Sequence, residues 1–117
     1  MTPPKKKPPA SQQDAGSGSG PFRLEATKDA AATLAALEVV KSQATVYKAV
    51  AKCLAYMQVN LRHSGLQTHK IKARKAPDGS PVFESYAQNQ TAGAWRVFWH
   101  YGPGADVLTI LMITEHP

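Results

Sequence analysis

The sequence has little of what marks secreted or membrane proteins. It contains one cysteine, so no disulfide can form within the chain and nothing indicates an oxidising compartment. No apolar run approaches the ~18 residues that a membrane-spanning helix needs. The lysines near the N-terminus are not followed by a hydrophobic segment, which argues against a secretory signal. We therefore expect a cytoplasmic protein with no membrane partner.

Residues suited to metal or thiol chemistry are also sparse. The histidines are His63, His69, His100 and His116, and they lack the close spacing and the cysteine pair of a zinc site. We therefore expect no metal and no cofactor. The cysteine, Cys53, falls within a helical pattern, where a small buried thiol is far commoner than a nucleophile.

The N-terminal segment, residues 1–20, is rich in proline, lysine, serine and glycine. Such a composition cannot bury enough apolar surface to offset its ordering entropy, so we expect a disordered arm. With 117 residues and 43% hydrophobic content, the chain is long enough for one modest core and too short for two domains. The folded domain is predicted to span residues 21–117.

Positive charge is concentrated in one segment. The net charge is +6, and residues 62–75 carry five cations and no acid: Arg62, Lys70, Lys72, Arg74 and Lys75. A compact basic patch favours an anionic partner, most often nucleic acid, because neutralising phosphates releases counterions. The alternative is that these side chains are solvated on an edge strand, where they prevent edge-to-edge pairing. The sequence does not favour either interpretation over the other.

Two helices are predicted in the first half of the domain. Thr27 is suited to capping a helix N-terminus, and the alanine-rich segment after it places Leu34, Leu37 and Val40 on one stripe. Residues 41–43 break this pattern. In the helix that follows, apolar residues recur at spacings of three and four: Val46, Val50, Leu54, Met57 and Leu61.

Alternation with a period of two predicts five strands. The first is "FRLEA", and four more follow the helices: "HKIKAR", "PVFESYAQ", "AWRVFWHY" and "DVLTILMIT". Turn signals separate them at Pro77-Asp78-Gly79 and at Gly102-Pro103-Gly104. A strand, two helices and four strands in series predict an α+β fold, with a largely antiparallel sheet and the helical pair packed on one face.

A predicted hairpin near residues 90–92 defines which side chains share a face of the sheet. It places Tyr86 opposite Arg96. It also places Glu84 opposite Phe98. The last turn continues this mixed face through Ile110, Met112, Thr114 and His116. The other face is the better candidate for packing under the helices and contains Trp95, Val97, Trp99, Leu111 and Ile113.

This layout resembles the RelE/ParE superfamily of bacterial type II toxins, and the resemblance covers nearly all of residues 22–117. "VFESY" and "WRVFW" are similar to the family's third-strand and fourth-strand motifs, and "GLQTHKIKA" is similar to its approach to the first strand after the helices. The resemblance implies a RelE-like fold and a toxin held inactive by a cognate antitoxin. It also implies mRNA and the ribosome as partners.

Site residues follow from the same resemblance. In the ribosome-dependent nucleases of the family, the arginine matching Arg96 stabilises the scissile phosphate, and a C-terminal residue matching His116 supplies acid chemistry. The basic residues that would hold RNA are Lys70, Lys72, Arg74 and Lys75. The RNA-binding set also includes Tyr86, which stands where an arginine or lysine is frequent. Pro117 stands where a tyrosine or arginine often closes the site.

The implied reaction is attack of a 2′-hydroxyl on the adjacent phosphate, which needs a base, a cation and an acid but no metal. Glu84 or His69 is the candidate base. Arg96 is the candidate cation and His116 the candidate acid. Each also has a structural interpretation, since Arg96 can pair with Glu84 across the strands and His116 can be a frayed terminal residue. A functional Arg96 is expected to be partly exposed, with donors facing solvent.

Three functions are therefore open. The first is an RNA-cleaving toxin, a metal-independent endoribonuclease. The second is a ParE-like protein that inhibits DNA gyrase by binding it, and the third is a non-toxic RNA-binding member of the fold. The basic patch supports the first and third more than the second.

Overall fold

The computed structural model describes residues 21–89 and 91–116. The predicted disordered arm, residues 1–20, lies outside the described residues, as do Gln90 and Pro117. The helices are α1 (Lys28–Val39) and α2 (Ala44–Val59), and the strands are β1 (Arg23–Ala26), β2 (His69–Lys75), β3 (Pro81–Tyr86), β4 (Trp95–Tyr101) and β5 (Val107–Glu115). The predicted α+β class and the order of strand, two helices and four strands are confirmed.

All five strands form one sheet in the order β1-β5-β4-β3-β2. The four strands after the helices pair antiparallel, as predicted. The first strand differs, because β1 pairs parallel with β5, from Arg23 opposite Val107 to Ala26 opposite Ile110. The sheet is therefore mixed. The two helices separate β1 from the next strand, so β1 is not limited to a hairpin with a sequence neighbour and can occupy the edge beside β5.

The helices cover one face of this sheet through the predicted stripes. In α2, Val50 and Met57 are buried and Cys53 lies between them, while Leu37 of α1 packs in the same core. Val40 was predicted to share the α1 stripe, but this is wrong: its backbone is extended and its side chain is 44% exposed, because the helix ends at Val39. No helix among residues 21–89 and 91–116 is long and apolar enough to cross a membrane.

The register of the central hairpin confirms the predicted pairs. Tyr86 lies opposite Arg96, and Glu84 lies opposite Phe98. The predicted assignment of β5 side chains to the two faces of the sheet is correct only at the C-terminal end of β5. Phe98 pairs with Met112, but the next residue, Trp99, pairs with Ile110. Leu111 is thus an extra residue in β5. This bulge turns Ile110 into the core under the helices, where we had expected it on the mixed face.

Trp95 and Trp99 of β4 pack in or against the core, as predicted. The ring of Trp99 is fully buried, stacks on Phe83 at a centroid distance of 4.9 Å, and meets Tyr101 edge-on. Its indole N–H donates to the hydroxyl of the buried Ser85 at 2.9 Å. The Ser85 hydroxyl also lies 2.8 Å from that of Thr68, so each polar atom in this region has a partner.

Thr27 caps α1, as predicted, and also ties the helix to the sheet. Its hydroxyl accepts the Ala30 N–H at 3.1 Å and donates to the carbonyl of Leu111 at 2.9 Å. We expect Thr27→Ala to lower the free energy of unfolding by about 1–2 kcal/mol, because both bonds are lost. The control is Thr33→Ala, whose hydroxyl donates only to the Asp29 carbonyl of its own helix. Denaturant unfolding should separate the two variants, and equal losses would contradict the dual role of Thr27.

Cys53 is buried, which confirms that it is a core residue. Burial raises the pKa of its thiol to about 12, because the apolar surroundings disfavour the thiolate. We expect an aromatic disulfide reagent at a pH of about 8 to label the folded protein far more slowly than the denatured protein, since the thiolate is the reactive form. Equal rates of labelling would show that Cys53 is accessible in the folded state.

Candidate functional site

The carboxylate of Glu84 is the centre of the mixed face. Glu84 lies in β3, is 8% exposed, and places one oxygen beside a histidine ring and the other beside an arginine. Its Oε1 lies 2.9 Å from His69 Nε2, and its Oε2 lies 3.5 Å from Arg96 Nε. His69 is the residue directly opposite Glu84 in β2, whereas Arg96 is reached diagonally in β4. The pairing of three strands therefore assembles this cluster.

Arg96 is buried, which matches the structural interpretation, pairing with Glu84, and not the partial exposure expected of a functional arginine. It is 6% exposed, its Nη1 donates to the Gln88 carbonyl at 2.7 Å, and the guanidinium lies 3.6 Å from the ring centre of Tyr86. The cause is the hairpin register, which stacks Tyr86 directly over its cross-strand partner. Arg96 therefore has the surroundings of an anchoring residue, and the ring of Tyr86 covers one face of its guanidinium.

One donor of Arg96 is incompletely satisfied. Its Nε is buried and makes no hydrogen bond within the described residues, since the Glu84 oxygen at 3.5 Å is too distant. The carboxylate lies closer to His69 than to Arg96. Any movement of His69 away from Glu84 would allow the carboxylate to shorten its contact with Arg96, so the buried charge keeps a partner in both arrangements.

His69 connects this buried cluster to solvent. Its side chain is 47% exposed, and its ring meets Tyr86 edge-on at 6.0 Å. Both ring nitrogens face oxygen acceptors, since Nδ1 lies 2.9 Å from the Gln67 carbonyl and Nε2 faces Glu84. A doubly protonated ring satisfies both acceptors, whereas a neutral ring satisfies one. To act as a base, His69 would have to leave one of these contacts.

The basic strand β2 runs beside the cluster at the edge of the sheet. Every residue of β2 except Ile71 is exposed, including the predicted RNA-binding residues Lys70, Lys72, Arg74 and Lys75. Ile71 pairs with Val82 and Lys75 pairs with Pro81, so residues 72–74 bulge between two adjacent residues of β3. The bulge brings the Arg74 guanidinium to 5.5 Å from the ring centre of Phe98, on the mixed face.

A turn anchors the end of this bulge. Gly79 has a φ of +88°, a conformation that favours glycine, and Ala76 accepts its N–H at 2.8 Å. The backbone N–H of Ser80 donates to Asp78 at 2.9 Å. Hydrogen bonds from Ser80 lower the pKa of the exposed Asp78 carboxyl, with a smaller contribution from His100. The predicted turn at Pro77-Asp78-Gly79 is confirmed, and it connects the end of β2 to its neighbour β3.

The remaining histidines occupy different positions. His116 follows β5, and its backbone N–H donates to the Ala94 carbonyl at 2.7 Å. Because Thr114 pairs with Arg96, alternation places His116 on the same face, one pair closer to the end of the sheet, with an exposed side chain. His100 is 5% exposed, with Nδ1 2.8 Å from the Tyr101 carbonyl.

No metal-ligand cluster occurs among residues 21–89 and 91–116, where no three His, Cys, Asp or Glu side chains come together. The site has instead two functional parts. The cluster of Glu84, Arg96, Tyr86 and His69, of which Glu84 and Arg96 are buried, can hold a ring and a charge in fixed positions. The exposed lysines and arginine of β2 can contact an anion. Sequence reasoning named all these residues but did not separate the buried part from the exposed part.

The fold and the site define an α+β domain with a mixed sheet, a buried charged cluster on the face opposite the helices, and a basic edge strand. Comparisons of the chain with protein-family models, with curated proteins and with solved structures find no match. The resemblance to the RelE/ParE superfamily therefore stays a prediction that depends on the sequence motifs.

The burial of Arg96 generates a stability prediction. Replacing it with alanine leaves Glu84 without one of its two partners and is expected to cost about 3–5 kcal/mol. The control is Arg74→Ala, an exposed arginine whose removal should cost less than about 0.5 kcal/mol. Chemical unfolding monitored by circular dichroism measures both. A double variant, Glu84→Gln with Arg96→Met, removes the buried charges together and should recover much of the loss. Equal stability of Arg96→Ala and Arg74→Ala would contradict an anchoring role for Arg96.

Proposed function

We propose that this domain binds RNA along the β2 edge of its sheet. The observation that carries the proposal is the exposed row of cations on β2, with no acidic residue between residues 62 and 75. A backbone of phosphates can follow such a row, and each neutralised phosphate adds affinity through counterion release. An exposed ring beside the basic strand, that of His69, also suits single-stranded nucleic acid, whose bases are free to stack.

The bulge in β2 helps to decide between the two interpretations of the basic patch. An edge strand needs protection from pairing with another sheet, and a bulge alone provides it by interrupting the ladder. Residues 72–74 form such a bulge. Because edge protection is already present, it does not require the additional charges of Lys70, Lys72, Arg74 and Lys75. An anionic partner accounts for them better.

The choice of RNA over DNA comes from the resemblance to the ribosome-dependent nucleases. In this proposal the protein acts in the cytoplasm, and its partners are mRNA and, if the system is a toxin-antitoxin pair, an antitoxin. The structural position of Arg96 favours the RNA-binding member of the fold over a catalyst. The cation that the reaction needs over a phosphate is covered by Tyr86 and already engaged by Glu84 and Gln88.

An RNA-cleaving toxin is the second candidate, and one observation favours it. His69 is held by Glu84 at 2.9 Å, is partly exposed, and begins the basic strand. Arg96 Nε is available to compensate Glu84 if His69 moves toward a substrate. His69 is then the candidate base, and His116 stays the candidate acid, on the same face. For the ParE-like alternative, inhibition of DNA gyrase, no feature of residues 21–89 and 91–116 provides comparable support.

RNA binding is expected to depend on the lysines of β2. Replacing Lys70 and Lys72 with glutamine should weaken binding of a single-stranded RNA. The slope of log affinity against log salt should fall by about 1.4, which corresponds to about 0.7 for each lost phosphate contact. Fluorescence anisotropy at several salt concentrations measures both quantities. The matched control is Lys28→Gln with Lys41→Gln, two exposed lysines outside β2, and it should leave the slope unchanged.

The two sets of variants give different results if the proposal is correct. Equal losses in both would mean that attraction is non-specific and depends only on net charge. Tight binding of duplex DNA in preference to RNA would also contradict the proposal. A folded protein that binds neither RNA nor DNA would contradict the proposed function.

Toxicity separates the two candidate functions. If the nuclease function is correct, induced expression in a bacterial host should arrest growth, with translation falling before DNA replication. His69→Ala should abolish the arrest while RNA binding is largely retained, because one potential base is removed from an otherwise intact basic strand. Pulse labelling of protein and DNA synthesis provides the measurement. Absence of arrest would exclude the nuclease and leave RNA binding standing, whereas early chromosome breakage would support the gyrase alternative.

A further inference from the structure

A groove lies between α2, the 3-10 turn at Ser64–Leu66, and the C-terminal end of β3. Its cavity volume is about 160 Å³. Sites that enclose a whole small-molecule ligand have volumes of roughly 300–1,000 Å³, so this groove suits one ring system whose substituents remain outside. Of the residues that line the groove, Tyr86 was an RNA-binding candidate of the sequence, whereas Tyr56 and His63 were not.

Two stacked aromatic rings form one wall. Tyr56 of α2 and His63 lie with ring centres 4.0 Å apart and planes tilted by 29°. Both are partly exposed, and Lys52 lies 5.9 Å from the ring centre of Tyr56. The buried Cys53 and Leu66 also line the groove. This combination of an aromatic wall, an apolar floor and a cation at the rim is suited to a planar heterocycle that carries a negative charge.

His63 is fixed in one tautomer and one orientation. Its Nδ1 accepts the backbone N–H of Gly65 at 3.0 Å, so in the neutral ring the hydrogen is on Nε2, which is then a donor. Gly65 permits this close approach, because a Cβ at this position would lie 3.1 Å from the His63 ring. The groove therefore presents a hydrogen-bond donor from a ring that the backbone holds in place.

The groove is continuous with the proposed RNA track. Leu66, one of its lining residues, precedes His69 by three positions, and Tyr86 both lines the groove and meets the His69 ring at 6.0 Å. No acidic residue lines the groove, and Lys52 is the charged residue that does. A strand of RNA that follows β2 toward its first residue arrives at this groove.

From these observations we propose that the groove binds one nucleobase of the RNA, stacked on the Tyr56–His63 pair, with its neighbouring phosphate near Lys52. This inference rests on the proposed RNA-binding function and specifies a subsite for it. The groove adds a defined base contact to a domain in which the contacts proposed for Lys70, Lys72, Arg74 and Lys75 are to the phosphate backbone. The same chemistry is present in a free nucleotide, so the experiment must distinguish the two sources.

The first measurement is amide NMR of the isotope-labelled full chain, titrated with AMP and separately with ribose phosphate. AMP is expected to shift the amide signals of Cys53, Gly65 and Leu66, whereas ribose phosphate, which lacks the base, should leave them unchanged. The second measurement is the affinity for oligoadenylate RNA. Tyr56→Leu should bind about five- to a hundredfold more weakly, in line with the loss of one base stack, and Tyr56→Phe should bind as the native protein does.

Gly65→Ala provides a variant that removes no aromatic ring. The added Cβ would lie 3.1 Å from the His63 ring, which must shift by a few tenths of an ångström and change its stacking on Tyr56, so RNA binding should weaken while the thermal midpoint stays close to that of the native protein. This keeps the test meaningful if Tyr56→Leu is poorly folded, since Tyr56 also packs partly against the core. Unchanged affinity in a folded Gly65→Ala and in Tyr56→Leu would overturn the proposal.

The experiments distinguish a failure of the proposed RNA binding from a failure of the proposed base subsite. If RNA affinity depends on Lys70 and Lys72 but AMP shifts no groove signals, RNA binding stands and the base subsite is wrong. If AMP shifts the groove signals but RNA affinity ignores Tyr56→Leu, the groove takes a free nucleotide and the RNA subsite is wrong. If RNA does not bind at all, both the proposed function and the RNA subsite are wrong. The AMP titration then shows whether the groove binds a free nucleotide.

Discussion

Burying the carboxylate of Glu84 requires positive partners, and much of the site depends on how they are supplied. An isolated buried carboxylate would be strongly unfavourable, whereas here one oxygen faces His69 and the other faces Arg96. Each partner comes from a neighbouring strand, so the ion pairs favour the register in which β2, β3 and β4 are found. A slip by one residue would move Glu84 to the helix side of the sheet without either cation.

The same constraint explains why the site divides into a buried and an exposed part. Arg96 is engaged by Glu84, by a backbone carbonyl and by the ring of Tyr86, so it is poorly placed to bind a substrate. The cations available to an anion are those of β2, where the bulge places Arg74 over the edge of the mixed face. In the proposed function, stability of the sheet and recognition of RNA depend on different positive charges, so the proposed RNA contacts can vary without loss of the fold.

The sequence was sufficient to predict the helices, the strands and the register of the central hairpin. Alternation in "PVFESY" and "WRVFWHY" predicted Tyr86 opposite Arg96, and Thr27 was predicted as a cap because its residue type and position are specific. The extra residue at Leu111 could not be predicted, since a bulge leaves the composition of a strand unchanged and only shifts its alternation. The burial of Arg96 could not be predicted from the sequence for a similar reason. The exposure of Arg96 depends on whether the Tyr86 ring stacks over the guanidinium or turns away. The tertiary packing determines which rotamer Tyr86 adopts.

The most direct test of this account is the NMR signal of each arginine side-chain Nε–H, followed as RNA is added to the full chain. The account predicts that the Nε–H of Arg96 exchanges slowly with solvent, because it is buried, and that its signal does not move on RNA binding. The signal of Arg74 should shift with the β2 amides. A fast-exchanging Arg96 Nε–H whose signal moves with RNA, beside an unperturbed Arg74, would contradict the division of the site and would return Arg96 to the role of a phosphate ligand.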